Sequence, residues 1–490
     1  LLERAATWTQ AALIGAIIAL AWLPYVSAPL LLDETGTWWA ISAGASHVWT
    51  RFYASGQSIL YGYLVCAFSW LTGSTAEWVL RLPSILASIG TLLALYRLGQ
   101  AALGSPHRFL LPLYWLLFLH PPGLDVLLSP PSIVLQARPY AMAMCAGAWA
   151  LHAMHGFVAT GRRRQLWAFA LLTGVTPWFS FFFLLPLAAC ALPVLVLTLQ
   201  KKSIPLVTCA GVFGLWAAMT APLLPQILTV ARSAGLHAIP YVSQGRLDPA
   251  AVWAPPAIAI GVLAALAASR ARSEPVRLSP TLTLLALIIS FVSVAPLFAA
   301  TRLTGTNVAA VRYMCLAFAP LALLYGTVLV RYASASAQIT ALLLTVALVQ
   351  GPELLSHRSP EQELAHSYPR IIAEIERERS ASLGRAKVYL TGSFVEASRE
   401  RFPAAESRNE LIAPFLYYKL SEPYRLLPNR LAQSDPEWAA ELVAQLQSDP
   451  IFIFAGSAFP AWLRDATRES HSIRVVTQSR SYVIAVLRKK

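Results

Sequence analysis

The chain has 490 residues, 57% of them hydrophobic and only 13% charged, and its mean hydropathy is +0.56. Soluble proteins carry about 25% charged residues, so this composition excludes an ordinary soluble protein and points to a polytopic membrane protein with a smaller polar part. The net charge of +14 does not point to nucleic acid. The basic residues gather at the ends of apolar spans and in the tail, as topology signals and a charged surface domain require.

The first span, residues 11–32, lacks a small-residue cleavage site of the usual kind and is expected to be a retained anchor. It runs into Leu31-Leu32-Asp33-Glu34-Thr35. A carboxylate left in hydrocarbon is costly, about 2.5–3.5 kcal/mol on insertion scales. The adjacent acids are therefore either an interfacial pair that ends a helix or a catalytic base at the membrane surface.

Spans need about 20 apolar residues. Further ones are expected at residues 82–103, 109–128, 140–159, 204–224, 250–268, 281–300, 313–330 and 338–349. The double-length run 166–199 contains Pro177, Pro186 and Pro193 and fits two helices joined by a tight turn. Short basic loops stay in the cytoplasm, and Arg162-Arg163-Arg164, Lys201-Lys202, Arg270 and Arg331 mark them. Counting spans between these marks leaves both ends of 33–81 outside. The stretch 58–71 is then a juxtamembrane helix in the outer face, suited to it by Tyr61, Tyr63 and Trp70. The count gives about eleven transmembrane helices, a cytoplasmic N-terminus and an external C-terminus.

The outer loops are the loaded ones. Residues 33–81 hold the acid pair, Trp38, His47, Arg51 and Arg81; residues 120–138 hold Asp125 and Arg138; residues 301–312 end in Arg312. Polar groups at membrane depth mark sites and pathways. After Gly351 the composition changes to a small α/β domain, with a charged helix at 360–380, strands at 387–390, 451–455, 473–477 and 482–487, and a helix at 438–447. The domain division is 1–352 for the membrane part and 353–490 for an external domain, and no GxGxxG or P-loop occurs in the latter. The five cysteines lie in apolar stretches without CxxC spacing and read as small buried hydrophobes.

Asp33-Glu34 after span one, Leu80-Arg81-Leu82-Pro83-Ser84, Ala137-Arg138-Pro139-Tyr140-Ala141 and Val311-Arg312-Tyr313 follow one another in order, the last opening a span that contains Pro320. This set resembles the membrane glycosyltransferases of the GT-C superfamily, in the branch of the protein O-mannosyltransferases and the lipid A aminoarabinose transferases. The resemblance covers about residues 11–330. It implies a mainly α, polytopic fold, a polyprenyl-phosphate sugar donor, and transfer on the outer face of a bacterial inner membrane. It maps the family's catalytic acids onto Asp33 and Glu34, and its arginine at the second span onto Arg81. The commoner His-Pro-Pro-Leu motif is replaced here by Gly56-Gln57-Ser58-Ile59-Leu60-Tyr61, which loosens assignment to a subgroup and acceptor.

Glycosyl transfer needs a base for the acceptor hydroxyl, worth about 10²–10⁴-fold. Asp33 is assigned that role, with Glu34 orienting the acceptor or helping hold a cation. Forked donors must stabilise the leaving phosphate; Arg312 and Arg138 are the first candidates and Arg81 the third, its alternative being a helix anchor. Tyr140, Tyr313, Asp125, Trp38 and His47 are candidate substrate contacts. A divalent cation shared by Glu34, His47 and His237 stays open, without support from HxxxH-type spacing. The acceptor is a lipid, a glycan or a protein. A transporter or flippase predicts mid-membrane charges and repeated halves, and an assembly protein leaves the acid pair without a task.

Overall fold

A computed structural model of the chain describes residues 2–54, 57–118, 131–199, 204–232, 279–304, 311–332, 360–391, 412–421, 423–428, 431, 436–456, 459–478 and 482–490. The expected spans 250–268 and 338–349, together with Asp125 and His237, lie outside these. Packing divides the chain into two units. One holds the described residues of Leu1–Ser27, Gly56–Arg232 and Pro240–His357; the other holds those of Ala28–Ser55 and Arg358–Lys490. The acid pair thus belongs to the same unit as the C-terminal sheet.

The first unit is helical. Among the described residues, five helices are long and apolar enough to cross a membrane: Glu77–Ala102, Tyr140–Thr160, Phe181–Leu199, Leu206–Thr229 and Pro280–Leu297. The double run does contain two helical stretches, Arg163–Val175 and Phe181–Leu199, with the turn at Thr176–Trp178 around Pro177. Helix Ile59–Thr72 has 14 residues, about 21 Å at 1.5 Å per residue, well short of a hydrocarbon core of about 30 Å. Ser58 caps its first turn by accepting the Tyr61 N–H at 3.2 Å, and Gly73 ends it at φ +63.

Small residues let these helices approach. Glu77–Ala102 turns Ser84, Ala87, Ser88, Thr91, Ala94, Leu95 and Leu98 inward at three- and four-residue spacing and packs on Tyr140–Thr160. Ser88 donates to the Val134 carbonyl at 2.7 Å. Such small polar side chains allow close backbones and supply interhelical hydrogen bonds where apolar burial drives nothing. At Gly99 a methyl group would sit 2.9 Å from the Arg108 carbonyl oxygen, so a larger residue there would push a backbone aside. Arg163–Val175 is tied to Leu206–Thr220 by the Trp216 indole, which donates to the Ala170 carbonyl at 2.9 Å.

The start of the chain differs from the expected single span. Helix Leu2–Ile17 passes through a π-turn at Ile18–Trp22 and a short helix Leu23–Val26, then stops. Pro24 sits in the first turn of that short helix and Pro29 follows it. Proline lacks an N–H and opposes the helical conformation of the preceding residue, so the chain leaves the helix after Val26 instead of running on to Leu32. Asp33 and Glu34 open a new helix, Leu32–Ser42, and Ala45–Ala54 follows after Gly44 at φ +89.

The second unit holds a five-stranded sheet of order β2-β1-β3-β5-β4, with β1 Lys387–Thr391, β2 Tyr424–Leu427, β3 Ile451–Gly456, β4 His471–Gln478 and β5 Val483–Lys489. β1 pairs in parallel with β2 and β3; β5 pairs antiparallel with β3 and β4. Side chains alternate across a strand. Val388, Leu390, Ile453, Ala455, Ile484 and Val486 meet Tyr368, Ile371, Ile372 and Ile375 of helix Pro360–Ala381 on one face. Tyr389, Phe452, Phe454, Ala485 and Leu487 meet Leu442 and Leu446 of helix Pro436–Ser448 on the other. Each large buried side chain contributes about 1.5–3 kcal/mol.

One polar cluster interrupts this core. Tyr389 donates to Asp449 at 2.6 Å, Lys387 pairs with the other Asp449 oxygen at 2.5 Å, and His471 Nε2 donates to the Asp449 carbonyl at 2.7 Å. Burial, then the hydrogen bond to Asp449, pushes the Tyr389 phenol above its ordinary range. Satisfied in this way, the buried carboxylate joins β1 to the start of β3 without an orphaned group.

Candidate functional site

The acids are held differently although they are neighbours. Glu34, the third residue of its helix, turns back so that Oε2 accepts the Leu31 N–H at 2.9 Å, and it is fully buried. This is half of a capping box, the half a leucine N-cap permits. Asp33 is only half-buried. Both sit at the positive end of the helix dipole, which favours negative charge.

The far end of the acid helix is fixed too. Arg51 is buried and donates to the Trp39 carbonyl at 2.5 Å, with its guanidinium 4.5 Å above the Trp39 ring. A cation on a helix's last carbonyls complements the dipole's negative end. On its flank the acid helix packs against Ala413–Tyr417, where Trp38 meets Tyr417 edge-on at 5.3 Å. Trp38 is thus a packing contact, whatever else it does. His47 is exposed on Ala45–Ala54, with its Nδ1 3.0 Å from the Ala43 carbonyl.

The first unit assembles a second cluster. Arg138, just before helix Tyr140–Thr160, donates to Gln57 Oε1 at 2.9 Å. The Gln57 carbonyl accepts from Gln226 Nε2 at 3.1 Å. Ser84 donates to the Arg138 carbonyl at 3.0 Å and shares a hydrogen bond with the Tyr61 hydroxyl at 2.9 Å. Ser58 reaches the Trp178 carbonyl at 2.6 Å. Gln57 thus orients an arginine, and Ser58 beside it anchors the same segment.

Tyr140 and Tyr313 meet edge-on at 6.3 Å, and Phe182 lies 4.1 Å from Tyr313. Residues distant in sequence but grouped by chemistry are therefore adjacent in space. Arg312 lies in the short helix Val311–Met314; its side chain falls outside the described part. Arg81 is fully buried and donates to the Tyr25 carbonyl at 2.7 Å and the Val26 carbonyl at 3.2 Å, with its guanidinium 4.3 Å over the Tyr25 ring. These carbonyls end the first helical segment, so Arg81 caps it.

Among the described residues, no group of three or more His, Cys, Asp or Glu side chains is placed to hold a metal. A small apolar recess opens among the helices, lined by Gly147, Leu151, Phe169, Leu187, Ile289 and Leu316 among others. Gln226, Tyr417 and Tyr418 are not marked by the sequence, since neutral amides and aromatics recur throughout the chain without a distinctive spacing, while Gln57 and Ser84 stand in the quoted motifs without an assigned role.

No family model and no characterised protein sequence matches the chain. Solved structures do. The crystal structure of ArnT from Cupriavidus metallidurans bound to undecaprenyl phosphate is similar over 97% of each chain, at 13% sequence identity and a TM-score of 0.50. The resemblance read from the motifs is thus met by a likeness of fold. The chain is a mainly helical, multi-pass membrane protein with an ArnT-like fold and a small C-terminal sheet.

Proposed function

We propose that the chain is a membrane glycosyltransferase that moves a sugar from a polyprenyl-phosphate donor to an acceptor hydroxyl on the outer face of a bacterial inner membrane. The observation that carries this is the division of labour in the acid pair. Glu34 is fully buried and reaches back to cap its own helix, while Asp33 is half-buried in the first turn of that helix, which Arg51 holds at its far end. A carboxylate on a rigid element is what a general base requires.

Asp33 takes the proton of the acceptor hydroxyl as its oxygen attacks the anomeric carbon. The bond from that carbon to the phosphate oxygen breaks, and its electrons leave with the polyprenyl phosphate. One carboxylate base with a good leaving group gives single displacement with inversion. Arg138 and Arg312 stabilise the departing phosphate through charge-assisted hydrogen bonds. Arg138 is pre-oriented by Gln57, which lowers the cost of meeting the anion. Tyr140 and Tyr313 offer a paired aromatic surface beside it. The likeness of fold to ArnT bound to undecaprenyl phosphate supports a lipid-phosphate carrier.

In this arrangement residues 1–352 form the membrane part, with about eleven crossings and a cytoplasmic N-terminus; residues 33–81 form its first outer loop, and 353–490 the external domain. The shortness of Ile59–Thr72 supports its lying along the outer face.

The test is transfer from a panel of radiolabelled polyprenyl-phosphate sugars, with purified protein, membrane acceptors and Asp33→Asn in parallel. Transfer from one donor, lowered at least about 100-fold in the variant, is the expected outcome. Donor turnover that survives Asp33→Asn removes the base assignment. Absence of transfer from every donor, with lipid-linked sugar moved across vesicles instead, replaces the transferase with a transporter.

A further inference from the structure

The acid helix is held by residues from nearly the other end of the chain. The Tyr418 hydroxyl accepts the N–H of Leu30 at 3.0 Å, across 388 positions of sequence. Leu30 is completely buried and lies three residues before Asp33. Its N–H follows Pro29, in the stretch where the chain has left one helix and not yet begun the next. No intrahelical carbonyl serves it there, and the phenol oxygen does. Tyr418 in turn stacks on Tyr368 of helix Pro360–Ala381 at 6.1 Å and meets Tyr417 edge-on at 4.9 Å; Tyr417 meets Trp38 at 5.3 Å. An unbroken aromatic series thus links the hydrophobic face of the sheet to the acid helix.

The turn that presents Tyr418 is strained. Lys419 adopts φ +64, a left-handed conformation usually given to glycine. The Leu420 N–H returns to the Phe415 carbonyl at 2.8 Å and the Lys419 N–H to Leu416 at 3.1 Å. A non-glycine residue in this region costs about 1 kcal/mol or more and persists where its surroundings demand it.

We propose that Tyr418 is a positioning residue: through Leu30 it sets the entry of helix Leu32–Ser42 and hence the place of Asp33, so that the C-terminal domain is part of the machinery for proton removal. The proposal rests on Asp33 as the base. A hydroxyl that only added stability would act alike on every property of the folded protein. One that aims the base acts on turnover, because misplacement by about 1 Å can cost up to 100-fold.

Tyr418→Phe in the full-length protein keeps the ring and deletes the bond. Tyr389→Phe is its comparator, since it also deletes one phenol hydrogen bond in the same unit, that to Asp449. Tyr418→Phe should lower kcat about five- to tenfold, the equivalent of one hydrogen bond, with the donor KM unchanged; Tyr389→Phe should leave kcat alone. Amide exchange over residues 30–35 should quicken in Tyr418→Phe and not in Tyr389→Phe, since that segment would open more readily. Unaltered exchange at 30–35, or equal loss of kcat in both variants, overturns the positioning role. No transfer by the unmodified chain overturns instead the base assignment on which the role depends, and the exchange measurement separates the two failures.

Discussion

Glu34 Oε2 lies 2.9 Å from the backbone nitrogen of Leu31, three residues back, and the carboxylate is wholly buried in reaching it. That contact gives the second acid of the pair a structural task that sequence alone did not assign, and it makes the two acids separable by substitution.

Glu34→Gln retains an oxygen that can accept the Leu31 N–H, so thermal stability and most of the turnover should survive. Glu34→Ala removes the acceptor and should cost about 0.5–2 kcal/mol, the usual range for a lost cap. Asp33→Asn should show the reverse pattern, with the unfolding midpoint kept and the turnover lost. Melting curves and transfer rates measured on the same preparations check all three. A Glu34→Gln enzyme as inactive as Asp33→Asn would return Glu34 to the chemistry.

Arg81 predicts a loss of stability. Lysine cannot reproduce both the two-carbonyl contact and the stacking on Tyr25. Arg81→Lys should therefore destabilise the protein by about 1–3 kcal/mol, the scale for hydrogen bonds to a charged group. The measurement is the unfolding midpoint in detergent together with the donor KM. A raised KM with unchanged melting would identify Arg81 as a donor-phosphate ligand rather than a helix cap.

The sheet makes a prediction about alkaline pH. The folded state holds the proton of Tyr389 more tightly than the unfolded chain does. Its contribution to stability is full below the unfolded value of about 10 and is lost as pH rises towards the higher folded value. Unfolding of the full-length chain should therefore become easier above that point, and Tyr389→Phe should show a shallower decline. Denaturation midpoints for the two proteins, taken between about pH 9 and pH 11, test this. Parallel curves would exclude Tyr389 as the source.

Hydrophobic runs proved the most legible part of the chain. The spans expected at 82–103, 140–159 and 281–300 correspond to helices Glu77–Ala102, Tyr140–Thr160 and Pro280–Thr304, because about 20 apolar residues in a row admit few other arrangements. The strands at 387–390 and 451–455 were equally plain, being buried on both faces and apolar throughout apart from Lys387 at the start of the first. β2, Tyr424–Leu427, is not among the expected strands: it is an edge strand of 4 residues, too short for an alternating pattern to stand out. The acid segment was expected as an outer loop and is two helices, since its order comes from contacts that no local pattern encodes. Glu34 with Leu31 is a local cap and was within reach of the sequence. Arg51 on Trp39, Tyr417 on Trp38 and Tyr418 on Leu30 required the folded chain.

The 388 positions between Leu30 and Tyr418 also have a meaning in time. Synthesis runs from the N-terminus, at about 5–20 residues per second, so the segment bearing Asp33 leaves the ribosome tens of seconds before its tyrosine exists. Until the last quarter of the chain has been made and folded, the Leu30 N–H has no phenol to serve it and Trp38 has no ring to meet. A truncated product would carry every apolar span and both acids, yet lack the means to aim them. With Tyr418 in the proposed positioning role, completion of the polypeptide becomes a condition for readiness, and a half-made molecule is kept idle by the order of its own sequence.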